Sequence, residues 1–500
     1  MLSLAAISTA EKLFYVDCGP EFNCNNAKVY YVNPSSATPK ATLFETGVFI
    51  LPETNNREFE SLEYSFQTGT LDLVTYQITN IKTSNIFYFK GGKIWVVDTE
   101  TLTKRRLSNA SGITPETLCD IEAYTDWMNP NNSTIYYRLK GLDGQCDTGD
   151  DISRVVKVGM TSTTPPINIP NKNIRELLLD GRYLVENYSS YPWKLEICSS
   201  DLSSCKLIDT FTDEVDPENF DKQWIILIVN CELKSYDYIS EKLYTLYEPP
   251  SGECVGSDGR LDRDDYVYFQ TQSNDGDHFT NSLKKVPVNG GSVQILTQFT
   301  TDKELDGFDL EEISSTHVVY LWRISEYSDE HIYSVPKGGG IPVVISDSSC
   351  VEGGSCGQYY FCEDKNGNVW RVKLDGTQRI KRANSQLNGG IGSGSEDWFS
   401  GCNPSTERVL ISDISNNLKS YAINEDFRNP TKGISIGTVP VNLSNFRAFS
   451  DVEDSLGIAM KRFTGSSSFG TDILLLKATI PSSLKRLSNT NGWKIPYTSD

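Results

Sequence analysis

Two short acidic turns hold the residues of this chain best suited to chemistry. Residues 141–151 read Gly-Leu-Asp-Gly-Gln-Cys-Asp-Thr-Gly-Asp-Asp, and residues 257–265 read Ser-Asp-Gly-Arg-Leu-Asp-Arg-Asp-Asp. Hard divalent cations take several oxygen ligands at short spacing, and glycine lets the backbone wrap around them. In the first turn Asp143, Asp147, Asp150 and Asp151 offer carboxylates and Gln145 a carbonyl, so the chemistry is calcium binding, with a disulfide at Cys146 to pre-set the loop. In the second, Asp258, Asp262 and Asp264 are the candidates, with Arg260 and Arg263 opposing them electrostatically. Neither turn has EF-hand spacing, which needs a glutamate at its twelfth position. The plain alternative for both is a solvated turn. Residues 364–368, Asp-Lys-Asn-Gly-Asn, also offer oxygens, but they precede Val-Trp-Arg-Val, where a hairpin turn is required in any case.

Twelve cysteines set the compartment: Cys18, Cys24, Cys119, Cys146, Cys198, Cys205, Cys231, Cys254, Cys350, Cys356, Cys362 and Cys402. The count is even, no C-x-x-C pair occurs, and there are three histidines, so zinc and c-type haem lack their usual ligands at usable spacing. Sequence neighbours pair naturally: 18 with 24, 119 with 146, 198 with 205 and 231 with 254. For the last four, 350 with 356 and 362 with 402 is the expected arrangement. Disulfides imply an oxidising compartment, meaning the periplasm, the cell surface or the medium. Residues 1–10, MLSLAAISTA, resemble the end of a signal peptide with Ser8 and Ala10 before a cleavage point, or are a loose N-terminus. N-glycosylation sequons stand at Asn109, Asn131, Asn132, Asn187 and Asn442.

Catalytic signatures are weak. His278, His317 and His331 have no G-x-S-x-G partner for a serine triad. Paired carboxylates would serve glycoside cleavage, but 66 acidic residues do not single out a pair. The glycine-rich stretch 389–394 lacks the lysine of a phosphate-binding loop and reads as a loop. Trp127, Trp193, Trp398 and Trp493 lie in turn-like contexts, where aromatics either stack on sugars, anchor a protein partner, or simply pack under loops.

The elements that must position these residues are short strands. Residues 84–112 and 466–492 both run apolar strand, polar turn, apolar strand and a basic exit ending in Arg-Leu-Ser-Asn. Looser copies recur at intervals of roughly 40–57 residues, the range of propeller blades, near 29–32, 86–97, 134–158, 183–208, 224–247, 266–296, 317–345, 359–380, 408–439 and 457–487. Gly91-Gly92, Asn289-Gly290-Gly291, Gly338-Gly339-Gly340 and Asn366-Gly367-Asn368 supply hairpin turns. One or two helical turns are expected at 172–179 and 302–312. A strand pair of this kind cannot bury both faces alone, and stacking blades buries them against one another. The expected fold is therefore all-β: a single β-propeller of about seven or eight blades over residues 11–500, with long disulfide-clipped loops, or two smaller propellers. A net charge of −20 disfavours nucleic acid and anionic membrane surfaces. No apolar run approaches the ~18–20 residues of a membrane span.

Residues 281–296, Asn-Ser-Leu-Lys-Lys-Val-Pro-Val-Asn-Gly-Gly-Ser-Val-Gln-Ile-Leu, resemble the blade ending of TolB-like and related secreted bacterial propellers. Residues 332–343 repeat it, and Gly-Asn-Val-Trp-Arg-Val-Lys-Leu-Asp-Gly-Thr at 367–377 is a third variant. The resemblance covers about half of the chain, concerns architecture and transfers no active-site residues. The cysteine-clipped loops depart from that family's regular pattern. Together these features point to a non-enzymatic binding or assembly module for a protein, a surface polymer or itself. The alternatives are a carbohydrate-active hydrolase or lyase and, more remotely, a quinone-cofactor dehydrogenase, whose indole-docking blade repeats are not visible.

Overall fold

The computed structural model describes residues 12–496 apart from 20–23, 34–35, 37–38, 51–64, 72–77, 127–128, 147, 149–150, 213–215, 222, 257–258, 263, 275–277, 303–306, 324–330, 347–349, 365, 388–401, 404–406, 414, 416, 430, 439–442, 451–454, 464–468, 478 and 488–492. Residues 1–10, read above as a signal remnant or loose terminus, lie outside the described residues. Among the described residues the chain forms ten antiparallel sheets, each a four-position meander. In chain order they span 13–48, 65–106, 118–168, 172–211, 216–247, 253–301, 307–346, 350–382, 385–438 and 443–486. This meander is the blade of a β-propeller, and the fold class is all-β as the sequence predicts. The blade count differs from seven or eight. Each strand-rich segment owns a sheet, because outer strands too short or irregular to show alternation complete every one.

Two compact units share the sheets. The first comprises Met1–Ser189, Glu196–Lys206 and Ile436–Asp500, with the first three sheets, most of the fourth, and the tenth. The second comprises Ser190–Leu195 and Leu207–Ser435, with the fifth to ninth. In the first unit the strand Trp493–Pro496 returns to pair with Leu13–Gly19, Val16 opposite Ile495 and Asp17 opposite Lys494. It fills the first position of a sheet whose other three strands come from residues 13–48.

Among the described residues, the second-position strands of the first nine sheets are buried on both faces, which explains their apolar runs. In Thr134–Leu139, Ile135 and Tyr137 join a core with Phe14, Val29, Ile86 and Phe89 of the first two sheets. Tyr136, between them, joins a different core with Ile174, Tyr183 and Val185 of the fourth sheet. All three are 0% exposed, and side chains of this size each contribute roughly 1.5–3 kcal/mol on burial. The turn after the second strand obeys its own chemistry. Lys90 pairs with Lys93 across Gly91 and Gly92, which take φ of 59° and 72°. A two-residue turn with both φ positive needs glycine-like residues.

The ladder between first and second strands is irregular in all ten sheets. Seven first strands are shifted by a bulge or irregularity against the second strand: at Thr68/Thr70, Leu118/Asp120, Ile174/Glu176, Pro217/Asn219, Leu310/Glu312, Cys350/Glu352 and Ser444/Phe446. The first sheet shifts at Asp17/Gly19. In the sixth and ninth, two short strands share the first position. These bulges explain the failed helix expectation. Residues 172–179 and 302–312 contain the strands Lys172–Leu177 and Gly307–Ile313. An inserted residue spaces Ile174 from Leu177 and Leu310 from Ile313 by three, a helical period produced by a bulge.

Disulfides join Cys18–Cys24, Cys119–Cys146, Cys198–Cys205 and Cys231–Cys254, the four pairings expected from the sequence. Cys356 and Cys362 are also disulfide-bonded. The expected link from Cys350 to Cys356 is excluded, because they are the two ends of one strand. At ~3.3 Å per residue their Cα atoms stand roughly 20 Å apart, against the ~7 Å limit of a disulfide. The closing strand gives a direct test. Truncating the chain before Trp493 removes a ladder of about four pairs, at ~1 kcal/mol per backbone hydrogen bond. The expected result is a folded but less stable protein, lower by about 4 kcal/mol in urea unfolding. An unchanged midpoint would mean that the first sheet does not need this strand.

Candidate functional site

The first-strand bulges gather charged side chains in each unit. In the first unit, the strand Leu118–Tyr124 pairs with Thr134–Leu139 so that Asp120 stands opposite Arg138 and Glu122 opposite Tyr136. Period-two alternation puts these residues on the face that packs against the fourth sheet. Arg138 reaches Asp120 at 3.6 Å and Asp151 at 3.8 Å. Tyr124 donates to the Glu122 carboxylate and to the Ile174 carbonyl at 2.7 Å. In the fourth sheet the bulged residue Arg175 holds Glu186 at 2.7 Å. Glu186 is fully buried and also accepts from the Tyr188 hydroxyl. Burial raises the Glu122 pKa; the Tyr124 hydrogen bond lowers it, Asp120 raises it, and Arg175 and Arg138 lower it. The net effect is a raised pKa. A carboxyl group beside two guanidinium groups can exchange a proton or share in recognising an anion.

The second unit repeats the arrangement on the strand Gly307–Ile313. Burial raises the pKa of Asp309, opposed by Arg323, a Gln270 hydrogen bond and Arg260. Burial also raises that of Glu312, whose carboxylate accepts from the Ser355 N–H at 2.9 Å. Arg260 donates at 2.7 Å to the carbonyl of Glu311, the bulged residue. Sequence reasoning missed both clusters. In the structure Asp120, Glu176 and Glu312 each directly follow a strand irregularity, which the sequence pattern does not mark.

The calcium candidates are placed differently in the two turns. Asp147 and Asp150 lie outside the described residues. Asp143 accepts from the Gln145 N–H at 2.8 Å, whereas Gln145 itself is exposed. Asp151 is turned inward, accepting from the Thr148 N–H at 3.3 Å and facing Arg138. In the second turn Asp258 lies outside the described residues, and Asp262 and Asp264 converge on the Lys337 ammonium. Asp264 also accepts from the Tyr268 hydroxyl at 2.8 Å. A lysine thus sets its positive charge against two of the carboxylates that the sequence offered as calcium ligands.

Asp364 is a hairpin anchor. It accepts from the N–H groups of Asn366 (2.9 Å) and Asn368 (3.0 Å), from the Asn368 amide and from the Trp370 indole at 2.9 Å. Burial would raise its pKa, but these donors outweigh burial and bring it down to about 2. Asp413 repeats the pattern with Ser415 and Asn417.

Among the described residues the one His/Cys/Asp/Glu group close enough to hold a metal is Glu196, Cys198 and Cys205, whose two sulfurs are already bonded to each other. His278 faces Asp302 at 3.0 Å on the surface, His317 bonds Thr316 at 2.9 Å, and His331 packs beside Tyr333. Of the tryptophans in turns, Trp193 packs edge-on against Phe211 with the exposed Tyr191 beside it. Trp127 and Trp398 lie outside the described residues. The sequon residue Asn187 is buried, its amide donating to Glu196 at 3.0 Å, so it is not available to a glycan.

No protein-family model and no curated protein matches the sequence. Solved structures similar to it include the β-propeller domain of the trilobed protease from Pyrococcus furiosus, over 75% of this chain and 96% of that one, at 12% identity and a TM-score of 0.31. TolB from Acinetobacter baumannii is similar over 61% of this chain and 77% of its own, at 12% identity and a TM-score of 0.26. An oligogalacturonate lyase in complex with manganese is similar over 72% and 96%, at 11% identity and a TM-score of 0.32. None of the three carries its chemistry over to this chain.

Glu122 gives the site a pH signature. Its folded pKa is raised, so the folded chain holds the proton more tightly than the unfolded chain. The resulting stability is fully present below the ordinary glutamic acid value of about 4.3 and is lost as pH rises through the folded value. Glu122→Gln cannot lose a proton. Relative to the native chain, it should gain stability between pH 4 and pH 7, as read from urea midpoints at both. Parallel curves would show that Glu122 ionises freely.

Proposed function

We propose that this protein is a disulfide-braced propeller-blade protein of the cell surface, periplasm or medium. It acts as a binding or assembly module for a protein, a surface polymer or a second copy of itself. Within each unit the binding surface is the end of its sheets where second strands turn into third strands. The supporting observation is where the clips sit. Cys18–Cys24 closes such a turn in the first sheet, because Trp493–Pro496 holds its first position. Cys146, in the same turn of the third sheet, is tied to Cys119 at the start of that sheet's first strand. Cys231, in the same turn of the fifth sheet, is tied to Cys254 at the start of the sixth. In a four-strand meander these positions share one end; Cys198–Cys205 alone of the four closes a third-to-fourth turn. Loops fixed before binding lose less conformational freedom on binding. The clipped loop of the third sheet also presents Leu142 fully exposed, as an apolar anchor at an interface would be.

A second reading, a carbohydrate-active hydrolase or lyase, draws on Glu122, a carboxyl group of raised pKa beside Arg138 and Arg175. One set of measurements separates the two. Light scattering and retention on a polysaccharide panel should show self-association or capture, weakened about tenfold by Leu142→Asp with no change in circular dichroism. Release of reducing ends or unsaturated sugars, abolished by Glu122→Gln, would replace the binding reading with the enzymatic one. A monomer that captures nothing and cleaves nothing would overturn both.

Calcium in the 141–151 loop belongs to the same proposal as a brace for that surface, suggested by the acidic turn around Cys146. Chelation should lower the thermal midpoint, and calcium should restore it. An unchanged melting curve would remove the ion from the account.

A further inference from the structure

The ninth sheet carries a cleft that the clipped-end reading does not use. It lies at the opposite end of its sheet, between the start of the second strand (Arg408), the end of the third (Ala422) and the connection to the fourth, which begins at Ile434. Its volume is about 510 Å³, and Glu425, Lys432 and Gly433 complete its working wall. The chain as a whole is strongly acidic, yet two of the three charged side chains here are cations.

Those cations are unequal. Arg408 is fixed: its Nε donates to the Ser420 hydroxyl and its Nη2 to the Ser420 carbonyl, both at 2.7 Å. That leaves the Nη1 edge of a planar guanidinium for another acceptor. Lys432 is exposed on the facing connection. The carboxylate of Glu425 is committed to the backbone, accepting from the N–H groups of Ala422 and Gly433 at 3.3 Å each. It closes the turn and supplies only through-space compensation to Arg408. The wall therefore combines a pre-oriented guanidinium edge, an exposed ammonium and one fixed carboxylate that repels any incoming anion.

We propose that this cleft binds a small oxyanion, a carboxylate or phosphate group, with Arg408 orienting it and Lys432 closing over it. A guanidinium edge matches the paired oxygens of either group. Glu425 sets the affinity from the opposite direction, holding it low.

The test is isothermal titration of the full chain with inorganic phosphate and, separately, with glucuronate. Saturable one-site binding of at least one probe is expected, and which probe binds distinguishes a phosphate from a sugar acid. Lys432→Gln and Arg408→Gln should each weaken it about tenfold. Glu425→Gln removes the charge and keeps one of the two oxygens that accept from the Ala422 and Gly433 N–H groups, so it should tighten binding. Arg408 also holds Ser420, so the Lys432 and Glu425 variants carry the test if Arg408→Gln fails to fold. No saturable binding of either probe, or binding indifferent to the Lys432 and Glu425 changes, would overturn the proposal. Neither outcome bears on the clipped ends, which no variant here touches.

Discussion

The structure depends on one constraint: a four-stranded sheet whose second strand is apolar on both faces cannot stand alone. Ile135 and Tyr137 point one way and Tyr136 the other, and each must meet a neighbouring sheet. Burial of this kind is non-directional and scales with area, so it decides that sheets stack but says little about which polar groups go where. The charged clusters collect on the first strands and the second strands they pair with, and the acidic turns and the cleft lie at the sheet ends.

The first strands resolve a conflict. A regular strand between apolar neighbours would alternate strictly, and its charged residues would fall at positions set by the period alone. A bulge breaks the alternation once and re-aims the side chains beyond it. Arg175 is itself the extra residue in its strand and meets Glu186, which no water reaches. A buried carboxylate with its cation in place is close to neutral in stability, whereas one stripped of its partner costs about 3–5 kcal/mol. Such pairs therefore do little to hold the sheets together but strongly penalise any register that separates them. The irregularity that permits the charge also makes its placement specific.

This division explains what the sequence disclosed. The third strands, such as Lys93–Asp98 and Asn368–Lys373, alternate, the second strands carry apolar runs, and together they announce a blade. The glycine pair at 91–92 and the cysteine pairs at short spacing were equally legible, because a turn or a clip is a local event. The first strands were not. Their bulges turn period two into a spacing of three, so Ile174 and Leu177 imitate a helix, and Asp120, Glu122, Asp309 and Glu312 were indistinguishable among the other acids of the chain. The second acidic turn holds a partner that was hidden for the converse reason. Lys337 lies 75 residues from Asp262, and no local pattern predicts that a distant ammonium will claim a carboxylate pair. Sequence reading fails here wherever a charge is neutralised by a residue that the topology, rather than the spacing, brings near.

Cys119 joins the two kinds of device. It is the extra residue of the bulge between Leu118 and Asp120, and it is bonded to Cys146 across 27 residues. Closing a loop of that length restricts the unfolded chain by about 3.5 kcal/mol in the entropy model. Position matters more than magnitude. A bulge can slide by one residue at modest cost, and a slide here would take Asp120 away from Arg138 and turn Glu122 to the other face. Tying the bulged residue itself to the facing loop fixes the register at the one point where the strand could slip. The charged face of the third sheet is thus specified jointly by packing, which fixes the second strand, and by an oxidised cysteine pair, which fixes the first. The oxidising compartment implied by the disulfides is then a condition for the geometry of the cluster as well as for the stability of the fold.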